Sequence, residues 1–168
     1  PDEEGYLDDK LGRIRKIVRL IPFDLRMRPR AATVTKIGET EKSKGGSARE
    51  VVGSKIVVNY QEPVLRDSLA PLMAHEIGHS CMRQNYHFMA VYPEEMDAEA
   101  IGSIDEAAAY FTEFSIEQEL ETGEKPDIDR NKRAETELHE KGLELADQYG
   151  SKVLTDPMSI YQDITNGN

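Results

Sequence analysis

The apolar positions along the chain follow two different periods. In "EEGYLDDKLGRIRKIVRLIP", Leu7, Leu11, Ile14, Val18 and Ile21 recur every three or four residues, which marks one face of an amphipathic helix stopped by Pro22. "AATVTKI" and "SKIVVNY", residues 31–37 and 54–60, are short and β-branched and read as strands, the second closed by Pro63. Between them "GETEKSKGGSARE" carries glycines and charges without a period and reads as a loop or hairpin tip. The helical period returns near Asp67 or Ser68, either of which can cap a helix, with Pro71 in the first turn. Leu69, Met73, Ile77 and Cys81 then form an apolar stripe at i, i+4 spacing. A second long helix is expected over residues 94–120, with Ala107, Ala108, Tyr110, Phe111 and Phe114 on its apolar side and Gly102 as a point where it can break. After the polar "ETGEKPDID", the residues Ala134, Leu138, Leu145 and Tyr149 mark a third helix that ends at Gly150. Residues 151–168 show no clear period.

These elements predict one domain, since 168 residues suffice to bury roughly two-thirds of the unfolded surface. Its parts are an N-terminal helix (1–22), a core (31–120), a C-terminal helix (127–150) and a tail (151–168). The expected fold class is α+β, with a short twisted sheet from the first half packed on the helices.

Composition and charge narrow the function classes. No apolar run approaches the roughly 18 residues of a membrane helix. Cys81 is the only cysteine, so neither an intramolecular disulfide nor a cysteine zinc cluster can form within one chain, and a reducing, cytoplasmic setting is favoured. No signal peptide is visible, but the chain starts at Pro1 without a methionine, so localisation stays open. Residues 1–84 hold 15 Lys and Arg against 12 Asp and Glu, whereas residues 85–168 hold 6 against 20. An acidic chain of net charge −11 argues against nucleic acid as its main partner. The basic cluster Arg13, Arg15, Lys16, Arg19, Arg26, Arg28 and Arg30 is expected to face the acidic half, the alternative being weak contact with an anionic or membrane surface.

The candidate chemistry lies in "LAPLMAHEIGHSCMRQ", residues 69–84. His75 and His79 are one helical turn apart, so both imidazoles can reach one tetrahedral ion at about 2.0–2.1 Å. They are expected to face away from the Met73 stripe, with the small Gly78 leaving space beside them. Glu76 is turned by about 100° from His75 and need not be a ligand. It can take a proton from an attacking water and return it to a leaving amine. With 4 histidines in the chain, about 0.01 chance occurrences of this five-residue pattern are expected from composition. The plain alternative is two exposed histidines on an ordinary helix.

His75-Glu76-Ile77-Gly78-His79 resembles the zincin metallopeptidases, over residues 54–114. The resemblance implies one zinc ion per chain, a peptide or protein substrate, and cleavage by a metal-activated water with Glu76 as general base. It also implies that "KIVVNY" is an edge strand on which an extended substrate pairs. A third protein ligand is then required. The metzincin branch needs glycine at 82 and a ligand at 85, where Met82 and Asn85 stand. The gluzincin branch takes a glutamate from a second helix, and "IDEAAAYF", residues 104–111, is similar to that setting with Glu106 in the ligand place. Asp105 stands where asparagine is commoner, and Ala107 where glycine is. Glu99, Asp97 and His87 are alternative third ligands. Ser103 to Glu106 also reads as a capping box, which would tie Glu106 to the backbone instead. The small residues Ala107, Ala108 and Ala109 would let the two helices approach.

Tyr110, Tyr86, Tyr92, His139 and Tyr149 are candidate donors to the oxyanion, and Glu113 a candidate to orient a histidine. Cys81 reads as a core thiol. The competing class is an inactive zinc-binding regulatory or peptide-binding module; a third, a purely helical interaction domain, holds no metal. The "TEKSKGGSARE" loop or the terminal segments could block the cleft until cut.

Overall fold

A computed structural model describes the backbone of residues 3–20, 31–37, 47–51, 55–61, 66–121 and 123–167, and the side chains of residues 9–20, 70–121 and 123–167. The centre of the packing is one helix, Ala98–Glu117 (α4). Asp97 caps its start by accepting from the backbone N–H groups of Glu99 and Ala100. From Ala100 to Ile116 every residue but Glu106 is buried. A helix apolar on all sides must be covered on all sides, and that is what the other helices do.

Arg66–Asn85 (α2) and Glu137–Tyr149 (α6) both lie against α4, and each crosses it on a glycine. A Cβ at Gly78 of α2 would stand 2.9 Å from the Ala109 Cα, and one at Gly142 of α6 would stand 2.6 Å from the Glu106 Cβ. Glu3–Val18 (α1) packs across α2 and α4 with Ile14, Ile17 and Val18 buried. On its outer side Lys10 pairs with Glu119, and Arg13 lies 3.5 Å from the same carboxylate. Of the basic cluster, Arg13 thus meets an acidic residue of the second half; Arg26, Arg28 and Arg30 lie outside the described residues.

Lys152–Thr155 (α7) and Pro157–Thr165 (α8) close the far side with Val153, Leu154 and Ile160 buried. The Tyr161 hydroxyl of α8 accepts from the Asp97 N–H at 2.8 Å, which ties the end of the chain to the start of α4. Two short helices complete the set, His87–Val91 (α3) and Arg130–Arg133 (α5).

The α+β expectation is corrected by this core. Every residue of the buried hydrophobic core cluster among the described side chains belongs to a helix, so the body of the molecule is helix packed on helix and not a sheet packed on helices. Segments Ala31–Ile37 (β1), Ser47–Val51 (β2) and Lys55–Gln61 (β3) pair as backbone ladders in the order β1-β3-β2, and none of their side chains is among those described. β3 pairs with β1 in parallel and with β2 antiparallel. It is thus the middle strand, and the expectation that "KIVVNY" offers a free edge to a peptide is overturned.

Other expectations shift in detail. Ser47–Val51 is a strand where a loop was expected, and residues 38–46 lie outside the described residues. α2 begins at Arg66, so Pro71 lies inside the helix and not in its first turn. Gly102 does not break α4, because it makes room for Leu138, whose Cδ1 would be 3.2 Å from a Cβ there. The expected third helix divides into α5 and α6. The tail without a period is helical: Asp156 caps α8 by accepting from the Ser159 N–H, and Pro157 occupies its first turn.

Candidate metal centre

Where α2 crosses α4, the Gly78 contact brings His75 and His79 of α2 over Glu106 of α4. The histidines are not the two exposed side chains of the plain alternative. They face α4, with only 12% and 11% of their side chains exposed, because α2 is buried on two sides.

The two Nε2 atoms are 3.2 Å apart. Glu106 straddles them, with Oε2 at 3.4 Å from the His75 Nε2 and Oε1 at 3.3 Å from the His79 Nε2. Donors bound to one tetrahedral ion at about 2.0–2.1 Å stand about 3.3–3.4 Å from one another. The two histidine nitrogens stand at such a separation, each is within 3.4 Å of a different Glu106 oxygen, and one ligand atom from each residue lies within 4.8 Å of the others, so His75, His79 and Glu106 can hold a metal ion.

Charge points the same way. Around the two imidazoles stand the carboxylates of Glu76, Asp105, Glu106 and Glu113, with the guanidiniums of Arg83 and Arg133 against two of them, so carboxylates outnumber the arginines beside them. Burial opposes a charge on His79, but Asp105 and Glu106 outweigh it and push the imidazole up to about 10. Burial would likewise raise Glu106, yet contact with His75 and His79 holds its carboxyl well below the usual range.

Each imidazole has a second carboxylate behind it. Asp105 Oδ1 is 3.1 Å from the His79 Nδ1, and Glu113 Oε1 is 3.8 Å from the His75 Nδ1. A carboxylate on Nδ1 keeps the proton there and leaves Nε2 as the lone-pair donor. Glu113 stands where the sequence suggested; Asp105 was given no such role.

Glu76 is half-buried on the same helix, and burial, ahead of the opposing pull of His75 and His79, raises its carboxyl above the ordinary range. Tyr110 packs edge-on against the His75 ring at 4.7 Å, and its hydroxyl lies 3.5 Å from the Arg133 carbonyl. Burial, then the nearby Glu106 and Glu113, raise that phenol and keep it a donor. His139 of α6 reaches the same cluster, with Nε2 at 3.7 Å from Glu106 Oε1.

The other candidates fall away from the centre. Asp97 is the α4 cap, and Glu99 and His87 are exposed. The capping-box reading of Glu106 is excluded by the unbroken helix, within which the Ser103 hydroxyl donates to the Glu99 carbonyl. Tyr86 donates to the Leu154 carbonyl and Tyr149 pairs with Asp163, so both serve the packing of the C-terminal helices. Tyr92 is at the surface in the left-handed region (φ 46). Cys81 is fully buried.

The sequence reading also missed Arg83 and Arg133. Arg83 is four residues beyond His79 on α2, a spacing that could have drawn attention to it; nothing in the sequence brings Arg133 to α4. No helix among the described residues is long and apolar enough to cross a membrane. No protein family matches this chain, and no match appears among curated proteins or solved structures.

Proposed function

We propose that this chain is a zinc-dependent metallopeptidase of gluzincin type, with His75, His79 and Glu106 holding the metal and Glu76 as general base. The observation that carries the reading is the meeting of a glutamate from α4 with two histidines from α2, beside a glutamate that is not needed as a ligand. Two imidazoles and one carboxylate form the ligand set of an open catalytic zinc site, in which a fourth position is left for water or substrate. Bound zinc would polarise the scissile carbonyl and make water acidic enough to attack at neutral pH.

The chain's own groups supply the rest. Glu76, with its carboxyl raised toward neutrality by burial, is suited to take the water proton and return it to the leaving nitrogen. Asp105 and Glu113 fix the two imidazoles with Nε2 toward the metal. Tyr110 packs on the His75 ring and His139 lies 3.7 Å from Glu106, which makes these two the proposed donors to a developing oxyanion.

The test is metal content by elemental mass spectrometry together with cleavage of a peptide library. One zinc per chain, lost in Glu106→Ala, and cleavage abolished in Glu76→Gln are expected. Stoichiometric zinc without cleavage of any peptide would make the chain a zinc-binding module instead. Absence of zinc after reconstitution would end the metal reading.

A further inference from the structure

We propose that Arg83 and Arg133 are positioning residues for the metal ligands, each acting through a carboxylate: Arg83 through Asp105 on His79, and Arg133 through Glu113 on His75. This rests on the reading of the centre as a metal site.

The argument begins with how the two carboxylates are shared. Asp105 gives one oxygen to each neighbour: Oδ1 is 3.1 Å from the His79 Nδ1, while Oδ2 accepts from the Arg83 Nε at 3.1 Å and from a terminal guanidinium nitrogen at 2.9 Å. Glu113 stands between its neighbours in the same order but only as longer ion pairs, with Oε1 at 3.8 Å from the His75 Nδ1 and Oε2 at 3.7 Å from the Arg133 guanidinium. The pattern is repeated on two ligands by residues from different parts of the chain.

Both carboxylates need their arginine. Asp105 and Glu113 have 2% and 8% of their side chains exposed, and a buried carboxylate that loses the cation beside it turns toward water. That movement takes away the oxygen facing Nδ1, which steadies the ring with Nε2 directed at the ion. Each arginine is itself anchored. Arg83 is on α2, one turn beyond His79, so helix geometry places ligand and clamp on the same side of Asp105. Arg133 lies over the Phe114 ring at 5.5 Å and donates to Glu117 at 2.7 Å, which fixes the end of α5 against α4. The second chain of contacts therefore makes the affinity of the centre depend on α5, a short helix that contributes no ligand.

The two chains should differ in strength. The Arg83–Asp105–His79 contacts are all within about 3.1 Å, whereas both Glu113 contacts are longer. The measurement is zinc affinity of the full chain by competition with a chromophoric chelator, alongside thermal melting of the metal-free proteins. Arg83→Ala should weaken zinc about tenfold, the lower end of what outer ligands of this kind contribute, and Arg83→Lys should recover most of the loss. Arg133→Ala should weaken zinc by a smaller factor. Metal-free melting should fall in Arg83→Ala, since Asp105 is left buried without its cation, so affinity is measured well below the melting point; if that variant does not fold, Arg83→Gln and Arg83→Lys carry the same comparison. Zinc affinities within twofold of wild type in both alanine variants would overturn the proposal while leaving the metal centre standing. A wild-type chain that binds no zinc would overturn both.

Discussion

Glu76 and Glu106 feel the same two imidazoles and are driven in opposite directions. Burial dominates at Glu76 and raises it, whereas at Glu106 direct contact with His75 and His79 overcomes burial and keeps it ionised. A ligand must be charged and a base must be able to take up a proton, so the two carboxylates already differ as their proposed roles require. Exchanging Glu76 for Gln removes the proton acceptor and nearly preserves shape. Cleavage should fall by at least about a hundredfold, within the usual range for a lost general base, with zinc content unchanged. Activity retained in Glu76→Gln would remove the mechanism. The residue scale is also where the sequence was most legible. The pairing of His75 with His79 is set by one turn of a single helix, so spacing alone disclosed it. Glu106 was legible only through resemblance, because its approach depends on how α2 crosses α4. Asp105 was hidden for the same reason: next to Glu106 on the helix, it reaches the other side of His79 only once that crossing is known.

At the scale of elements, two glycines set the distances between helices. Gly142→Ala would place a methyl 2.6 Å from the Glu106 Cβ, and Gly78→Ala one 2.9 Å from the Ala109 Cα; both neighbours belong to or adjoin backbone that cannot turn aside. The helix must move by several tenths of an ångström. Overpacking of this kind costs about 1–3 kcal/mol, against which alanine returns about 1 kcal/mol of helix propensity. Each variant should therefore melt earlier than wild type, and Gly142→Ala should also bind zinc more weakly because it displaces Glu106. Gly12→Ala is the control: nothing lies within 4 Å of that position, so the propensity gain stands alone and melting should rise. If Gly142→Ala and Gly12→Ala shift melting alike, the close crossing of α6 and α4 is wrong. Elements also show why the fold class was misread. The β-branched runs do pair as strands, but which layer covers α2 is decided by α4, whose alanines and glycine allow helices on every side. The last helix was announced by Asp156 and Pro157, a capping residue followed by a proline, a stronger signal than the weak apolar period beyond it.

For the molecule as a whole, the candidate metal centre is a joint between helices distant in sequence. α2 and α4 share the three residues that could hold an ion, and α6 seats Gly142 on Glu106 and brings His139 beside it. Without a cation, the carboxylates at this joint pair with the imidazoles and the two arginines; a bound cation would replace the imidazole protons and tie α2 to α4. An ion that binds the folded chain alone adds stability according to its concentration over its dissociation constant, about 2.7 kcal/mol at a hundredfold excess. For a chain of this length each kcal/mol moves the melting point by about 2–4 °C, so zinc in that excess should raise it by about 5–11 °C. Calorimetry of the metal-free protein with and without added zinc reads this directly. His75→Ala should abolish the rise, since two donors remain of three, while Glu76→Gln should keep it in full because that carboxylate is not a ligand. A melting point that zinc leaves unmoved in wild type would mean that the three donor atoms, for all their spacing, are joined by their own ion pairs and not by a metal.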